Sequence, residues 1–247
     1  MKALLHSVLC FGAGLMISTS AHAQHRVGGE SSAEVFAVPA LAALADAACA
    51  GDPVAVRDRI ADGANPNGTG FEGATPLFWA LSCRNLIGVE ALLSAGADPN
   101  AIVGGKFSAT YQASTFHDPQ FLEALLGHGG DPNARMLGSS RDTALRNALI
   151  VGRDTGSWDQ WSMLLDAGAD YQRADRAGAT IATEALRLGN QDQVLDLLER
   201  GYRYRLSDLR GSAAYWAERV RDPEDREGLM RIVAAIDDLE GGGMTSR

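Results

Sequence analysis

Asn65, Asp98, Asp131 and Asp170 each follow a glycine by two positions, and this regular row of oxygen-bearing side chains is the first feature that could do chemistry. Oxygen ligands hold divalent cations, and paired carboxylates can serve as general acid and base. Two facts turn the row toward architecture instead. Its members recur with the spacing of the phrase around them, and no His or Cys stands beside any of them. An Asp or Asn two residues after a helix-ending glycine is placed to hydrogen-bond its own turn. The row is expected to shape loops rather than to bind metal.

Other reactive side chains are sparse. His25, His117 and His128 lie apart from one another and from any Cys or carboxylate pair at a metal-ligand spacing. His117-Asp118-Pro119 falls at a junction between helices, where a capping or surface role suffices. The chain has no G-x-S-x-G elbow, phosphate loop or H-E-x-x-H helix. No enzyme activity, cofactor or metal is expected. Asn67-Gly68-Thr69 is formally a glycosylation sequon, but Asn67 belongs to a repeated loop phrase and is discounted.

The elements that position these residues are repeated. Gly63-Ala64-Asn65-Pro66-Asn67 returns as Gly96-Ala97-Asp98-Pro99-Asn100 and as Gly129-Gly130-Asp131-Pro132-Asn133, each 33 residues on. It recurs in weaker form at Gly168 and Gly201. A fixed period of this size marks stacked supersecondary units. Before the glycines stand apolar trios at i, i+3 and i+4: Val89/Leu92/Leu93, Leu122/Leu125/Leu126, Trp161/Leu164/Leu165 and Val194/Leu197/Leu198. Each is the buried stripe of a short helix. A second set precedes them: Leu44/Ala47/Ala48, Leu77/Ala80/Leu81, Thr110/Ala113/Ser114, Leu145/Ala148/Leu149 and Ala182/Ala185/Leu186. Each unit is thus a pair of antiparallel helices joined by a short link. Cys49 and Cys83 fall in neighbouring first helices, 34 residues apart. Helices pack about 10 Å apart, which is long for a disulfide's Cα separation. Two separate, half-buried thiols are therefore preferred, with a bridge as the alternative.

The period stretches in the fourth unit. Its hairpin is expected to be longer around Met136 to Arg141, and a four-residue bulge is expected near Gly152 to Trp158. Trp158 there has two readings, a partner anchor or a ring folded back over the bulge. The third unit places Thr110, Ala113 and Ser114 where its neighbours bury leucine, and Gly104-Gly105 loosen its hairpin. Local packing weaker by about 1 to 3 kcal/mol is expected, so this unit could adapt its shape to a partner. Residues 205 to 240 form a further helical pair, whose second helix opens at Asp222-Pro223-Glu224 and buries Leu229/Ile232/Val233/Ile236. Such a pair caps the last apolar face of an array.

The ends and the charge set the setting. Met1-Lys2, an apolar run over residues 3 to 17 and Ala21-His22-Ala23 have the order of a secretory signal peptide, so residues 1–23 are expected to be cleaved on export. Cys10 is not preceded by a small residue, which argues against a lipid anchor. Residues 24–37 are expected to be a flexible leader, 38–204 the repeats, 205–240 the cap and 241–247 a flexible tail. The chain has 247 residues and a formal charge of -9, and loss of Lys2 takes this to -10. Between Gln24 and Asp170 stand 9 basic and 17 acidic side chains. A nucleic-acid partner is excluded, because phosphate backbones are met by clustered Lys and Arg. A basic-surfaced partner fits.

Gly73-Ala74-Thr75-Pro76-Leu77-Phe78-Trp79-Ala80 resembles the ankyrin-repeat signature G-x-TPLH-x-A, with Phe78 in place of His, and residues 96 to 101 resemble its hairpin. The resemblance implies an all-α ankyrin-repeat solenoid of about five helix-pair repeats with hairpin loops plus a C-terminal helical cap. It also implies a protein partner held on the concave face by hairpin tips and first helices. On this chain those positions are Phe71, Glu72, Trp79, Lys106, Phe107, Tyr111, Gln112, Phe116, Arg141, Asp142 and Arg176, with Trp158 added by the bulge. Phe71 and Phe107 sit in hairpins and are expected to be exposed, whereas Phe78 is expected to pack. The chain is similar to exported bacterial ankyrin proteins that act as immunity proteins against type VI secretion phospholipase effectors. It is also similar to periplasmic ankyrin proteins linked to catalase and oxidative-stress defence, and a plain envelope adaptor is a third reading. The first is preferred, with a periplasmic location, no cofactor and no stable membrane anchor.

Overall fold

A computed structural model describes residues 26–27 and 29–241, so the expected signal peptide at 1–23 and residues 242–247 of the expected tail lie outside the described residues. The described chain is mostly helical, with two short antiparallel strand pairs. It divides into two compact units whose boundary, between Val151 and Gly152, falls inside one helix.

The first unit opens with an arm. β1 (Arg26–Val27) pairs with β2 (Glu30–Ser31), and α1 (Ser32–Val35) follows directly. Ser31 starts α1 by donating from its backbone N–H and its hydroxyl to the Glu34 carboxylate, at 2.7 and 2.8 Å. Phe36, the residue that ends α1, is buried. Of the flexible leader expected over 24–37, residues 24, 25 and 28 lie outside the described residues, and the described part forms a strand pair and a helical turn. The arm carries its own turn of helix and buries Val35 and Phe36, and burial of a phenyl ring offsets the ordering of a short segment.

Three helix pairs follow: α2 (Pro39–Ala50) with α3 (Pro53–Ala61), α4 (Pro76–Ser82) with α5 (Leu86–Ser94), and α6 (Ala109–Ala113) with α7 (Gln120–Gly127). Local chemistry explains where they begin. Proline stands in the first turn of α2, α3 and α4, where its missing N–H costs nothing. Asp52, Thr75, Asn85 and Ser108 accept hydrogen bonds from the first free N–H groups of α3, α4, α5 and α6. Between pairs run hairpin-like loops, one with a single 3-10 turn at Phe71–Gly73 and one with β3 (Ile102–Val103) against β4 (Phe107–Ser108). α8 (Ala144–Thr155) carries the unit boundary. The second unit contains α9 (Asp159–Asp166), then α10 (Ile181–Arg187) packed on α11 (Gln191–Glu199), then α12 (Leu206–Ala217) packed on α13 (Pro223–Gly241).

The core is built on most of the stripe positions expected from the period, with Ala47 and Leu126 half-buried, and on rings outside them. Leu44, Leu77, Leu92, Leu122 and Leu125 are fully buried in the first unit, as are Leu164, Val194 and Leu197 in the second. Polar members are paired rather than orphaned. Thr110 donates from Oγ1 to the Pro99 carbonyl at 3.1 Å, and Ser114 donates to the Tyr111 carbonyl at 2.6 Å while accepting from Asn147 Nδ2 at 3.0 Å. The third pair thus replaces apolar filling with a satisfied polar cluster.

The row of Asp and Asn acts on backbone. Asn65, Asp98, Asp131 and Asp170 each accept from the N–H two residues later, at 2.9, 2.8, 2.8 and 3.1 Å. The next polar side chain reaches further. Asn67 donates to the Gly96 carbonyl at 2.8 Å and accepts from the Asp98 N–H at 2.7 Å, and Asn100 repeats both bonds with Gly129 and Asp131. In the second unit Gln172 does the same with Gly201 and Arg203. A side-chain amide offers one donor and one acceptor, which is what two neighbouring loops present to each other.

Cys49 and Cys83 form a disulfide. The preference for separate thiols is corrected by the closeness of α2 and α4, whose cysteine Cα atoms stand 5.6 Å apart. Ala45, Ala48 and Ala80 are fully buried in these helices, and small side chains let backbones approach closely. A Cβ on Gly88 of α5 would drive into the Ala48 carbonyl oxygen, so this junction admits no larger residue. Cys83 caps α4 rather than lying within it, which frees its side chain to meet the end of α2. Asn85 ties the corner by donating to the Cys49 carbonyl at 3.1 Å.

In the second unit Tyr202 is buried where the corresponding loops carry alanine or glycine, and its hydroxyl lies 2.9 Å from Thr180 Oγ1. α12 and α13 bury Leu209, Ala213 and Ala217 with Leu229, Ile232, Val233 and Ile236, and Arg210 is paired with Asp237 between them.

Two stability measurements check this packing. Cys49→Ser with Cys83→Ser should lower the urea-unfolding free energy by about 2 to 4 kcal/mol, because the bridge closes a loop of 34 residues. Unchanged stability would remove the bridge from the fold. Burial raises the Tyr202 phenol above its usual 10.0, against the opposing effect of its Thr180 hydrogen bond. The folded chain then keeps a proton that the unfolded chain loses, so this stabilisation is complete below about pH 10 and declines above it. Tyr202→Phe should cost about 1 kcal/mol at pH 7 and flatten the fall in urea midpoint between pH 9 and pH 11.

Candidate partner-binding surface

Most rings expected to face a partner pack inside the first unit. Phe107 lies 5.9 Å from Phe78 and 5.7 Å from Tyr111, centroid to centroid, and all three are buried. Burial pushes the Tyr111 hydroxyl upward in pKa, against a hydrogen bond to the Asn147 side chain. Phe116 is buried edge-to-face on Phe121 at 5.4 Å, and the Arg84 guanidinium covers its other side 3.3 Å from the centroid. That contact desolvates Arg84 and lowers its pKa, while nearby Asp118 works in the opposite direction. Trp79 is 3 % exposed and meets the Phe36 ring at 5.9 Å.

The placement of Trp79, Tyr111 and Phe116 on an open groove, and of Phe107 as an exposed hairpin tip, is therefore corrected. The physical reason lies in α6, whose buried positions are Ala109, Thr110, Tyr111 and Ala113. Small residues leave volume beside a helix, and close packing requires neighbouring rings to fill it. Gln112, on the same helix, is half-buried.

The hairpin positions divide. Phe71 is 48 % exposed, and Glu72 beside it is exposed with a left-handed backbone, φ 52°. Arg141 and Arg176 are exposed, and Lys106 is half-buried. Asp142 is drawn into its own loop, accepting from Ser139 Oγ at 2.8 Å and pairing with Arg146 at 3.4 Å. Charge reversal there would disturb the fold as well as the surface. Trp158 resolves toward its second reading: it is half-buried, 6.4 Å from Trp161 in an edge-to-face pair, and its ring covers Gly152 so closely that no Cβ would fit.

Two residues that the sequence did not single out complete the tips. Ile102 is 44 % exposed and Leu137 is 46 % exposed. Their hairpins are joined by backbone bonds, from Gly104 N–H to the Glu72 carbonyl at 2.7 Å and from Leu137 N–H to the Lys106 carbonyl at 2.6 Å. Phe71, Ile102 and Leu137 thus stand on three successive loops of one hydrogen-bonded ribbon, with Glu72, Lys106 and Arg141 among them. Leu137 follows Phe71 by two full periods, a signal that could have found it; Ile102 carries none. In the second unit Tyr215 and Trp216 of α12 are exposed as an edge-to-face pair at 5.4 Å, with Arg219 over the Tyr215 ring.

Among the described residues no group of three His, Cys, Asp or Glu side chains could hold a metal ion, and no helix is long and apolar enough to cross a membrane. Apolar tips interspersed with charges suit contact with another protein, where aromatic and aliphatic anchors lie within a polar rim.

Residues 72–102 match the family model of the ankyrin repeat, a stretch that runs from the tip at Glu72 through α4 and α5 to the tip at Ile102. The match supports an ankyrin-repeat protein and, with it, a protein–protein interaction module. No curated protein matches the chain.

The division between tip and packing residues has a direct check. Replacing Phe71, Ile102 and Leu137 together by serine should leave the unfolding free energy within about 1 kcal/mol of the parent. Phe107→Ala should cost about 3 to 5 kcal/mol. Equal losses in urea titrations of the two proteins would place the tips in the core.

Proposed function

We propose that this chain is an exported, non-catalytic module that binds a cognate secreted toxin of the phospholipase class and blocks it, as an immunity protein does. The observation that carries the binding surface is the exposed row Phe71, Ile102 and Leu137 on hydrogen-bonded loops. Large apolar side chains held outward on a fixed frame have little work to do within the chain itself. Export draws on the order of charge, apolar run and A-x-A site at residues 1–23. The Cys49–Cys83 bridge supports an oxidising compartment, where disulfides persist. The excess of acidic side chains up to Asp170 supports a basic-surfaced partner.

Inhibition in such a complex needs no chemistry from the binder. A surface that covers the active site of a lipase, or the face with which the lipase meets lipid, keeps substrate out by occupancy alone. The acidic field accelerates encounter and the apolar tips slow departure.

The test is a pull-down with a phospholipase-like protein, which this reading expects the neighbouring gene to encode, followed by a lipase assay on the captured complex. Capture with loss of lipase activity is expected, together with an association rate that falls about tenfold between low and high salt. Capture of a fully active enzyme would overturn inhibition. Glu72→Lys should slow association, and the triple tip variant should hasten dissociation.

A further inference from the structure

Phe36 occupies a seat built by other parts of the first unit. Its backbone is extended, φ −104° and ψ 102°, and its ring is 1 % exposed. The ring lies edge-to-face on Trp79 of α4. The loop before α4 closes the seat: a side chain on Gly70 would come within 2.5 Å of the Val35 carbonyl oxygen and 2.8 Å of the Phe36 ring. Glycine at 70 is what lets the arm lie against this loop. An arm held in this way displays what the seat accepts, an extended residue with an aromatic side chain.

The fit leaves one group unserved. The Trp79 indole N–H is buried with no acceptor. Trp161 is equally buried, yet its indole donates to the Asp196 carboxylate at 2.7 Å. Buried donors are nearly always paired, and an unmade bond leaves the full desolvation penalty in place. The two rings meet edge-to-face, and no oxygen of the arm accepts from the indole N–H. An occupant with the same ring and a carbonyl oxygen at the indole nitrogen would satisfy both.

We propose that the seat of Phe36 is an exchangeable pocket for an extended segment of a partner protein, one that presents an aromatic side chain together with a main-chain carbonyl for Trp79. The arm is its resident occupant. This rests on the reading of the chain as a protein-binding module. Ala37 and Val38, both exposed, connect the arm to α2 and provide the pivot. A short tether gives the arm an effective concentration in the millimolar range. A partner segment must therefore bind better than the arm does, and the hydrogen bond to Trp79 is the means.

The probe is a synthetic peptide of residues 32–38 with blocked ends, added at millimolar concentration to the full chain in its parent form and as Phe36→Ala. The readout is the four indole N–H resonances, with that of Trp79 assigned through Trp79→Phe. The peptide is expected to shift the Trp79 resonance of Phe36→Ala and to bind the parent at least tenfold more weakly. A peptide with alanine in place of its phenylalanine should not bind. Amide dispersion like that of the parent establishes that the variant is folded, and Phe36→Leu replaces it where it is not. An unmoved Trp79 resonance in a folded variant, equal binding to both chains, or binding of the alanine peptide would each overturn the proposal. None of those outcomes bears on toxin capture, and failed capture beside successful peptide binding would dismiss the toxin while keeping the pocket.

Discussion

Every helix pair in this protein has one apolar face that it cannot cover by itself. Most of these helices run five to twelve residues, too short to persist alone in water, and their stability comes from burying that face against a neighbour. The fully buried positions Leu44, Leu77, Leu92, Leu122 and Leu125 record this dependence in the first unit, and Leu164, Val194 and Leu197 record it in the second. Loops, caps and bridges all serve to keep one pair in register with the next.

Register is enforced by polar bonds at the rim. Asn67 and Asn100 join successive loops through the two ends of one amide, and Gln172 repeats the device in the second unit. Such bonds stabilise only modestly one by one, but a misplaced loop would leave carbonyls and N–H groups unmatched. The same geometry explains why Asn67 is a poor acceptor for a glycan, since both ends of its side chain are engaged. The disulfide adds a covalent restraint at one seam, where alanines and Gly88 bring backbones close.

Rings divide between two tasks. Phe78, Phe107 and Tyr111 fill the space beside the small residues of α6, and Phe116 does so beneath Arg84. Such aromatics cannot anchor a partner without dismantling the core. The hairpins hold Phe71, Ile102 and Leu137 outward instead. An aromatic-poor chain of this kind, with 6 % aromatic residues, has few rings for both purposes. Among the described residues most of the rings are buried, and Ile102 and Leu137 stand beside Phe71 as exposed tips.

The sequence by itself determined the helix pairs, their period, the turn-forming role of the Asp and Asn row and the helical pair from Leu206 onward, because these follow from short-range spacing and from residue types that favour caps and turns. It also named Phe71 and Glu72 as exposed tips, since hairpin ends have no stripe to bury. Only the tertiary structure decided that Trp79, Phe107, Tyr111 and Phe116 are interior, that Trp158 folds onto Trp161, that the arm seats Phe36 against Trp79, and that Cys49 meets Cys83. Each of these depends on the distance between packed elements, in several cases from different units of the repeat. That distance is set by the volume of the side chains between them, which a period cannot express.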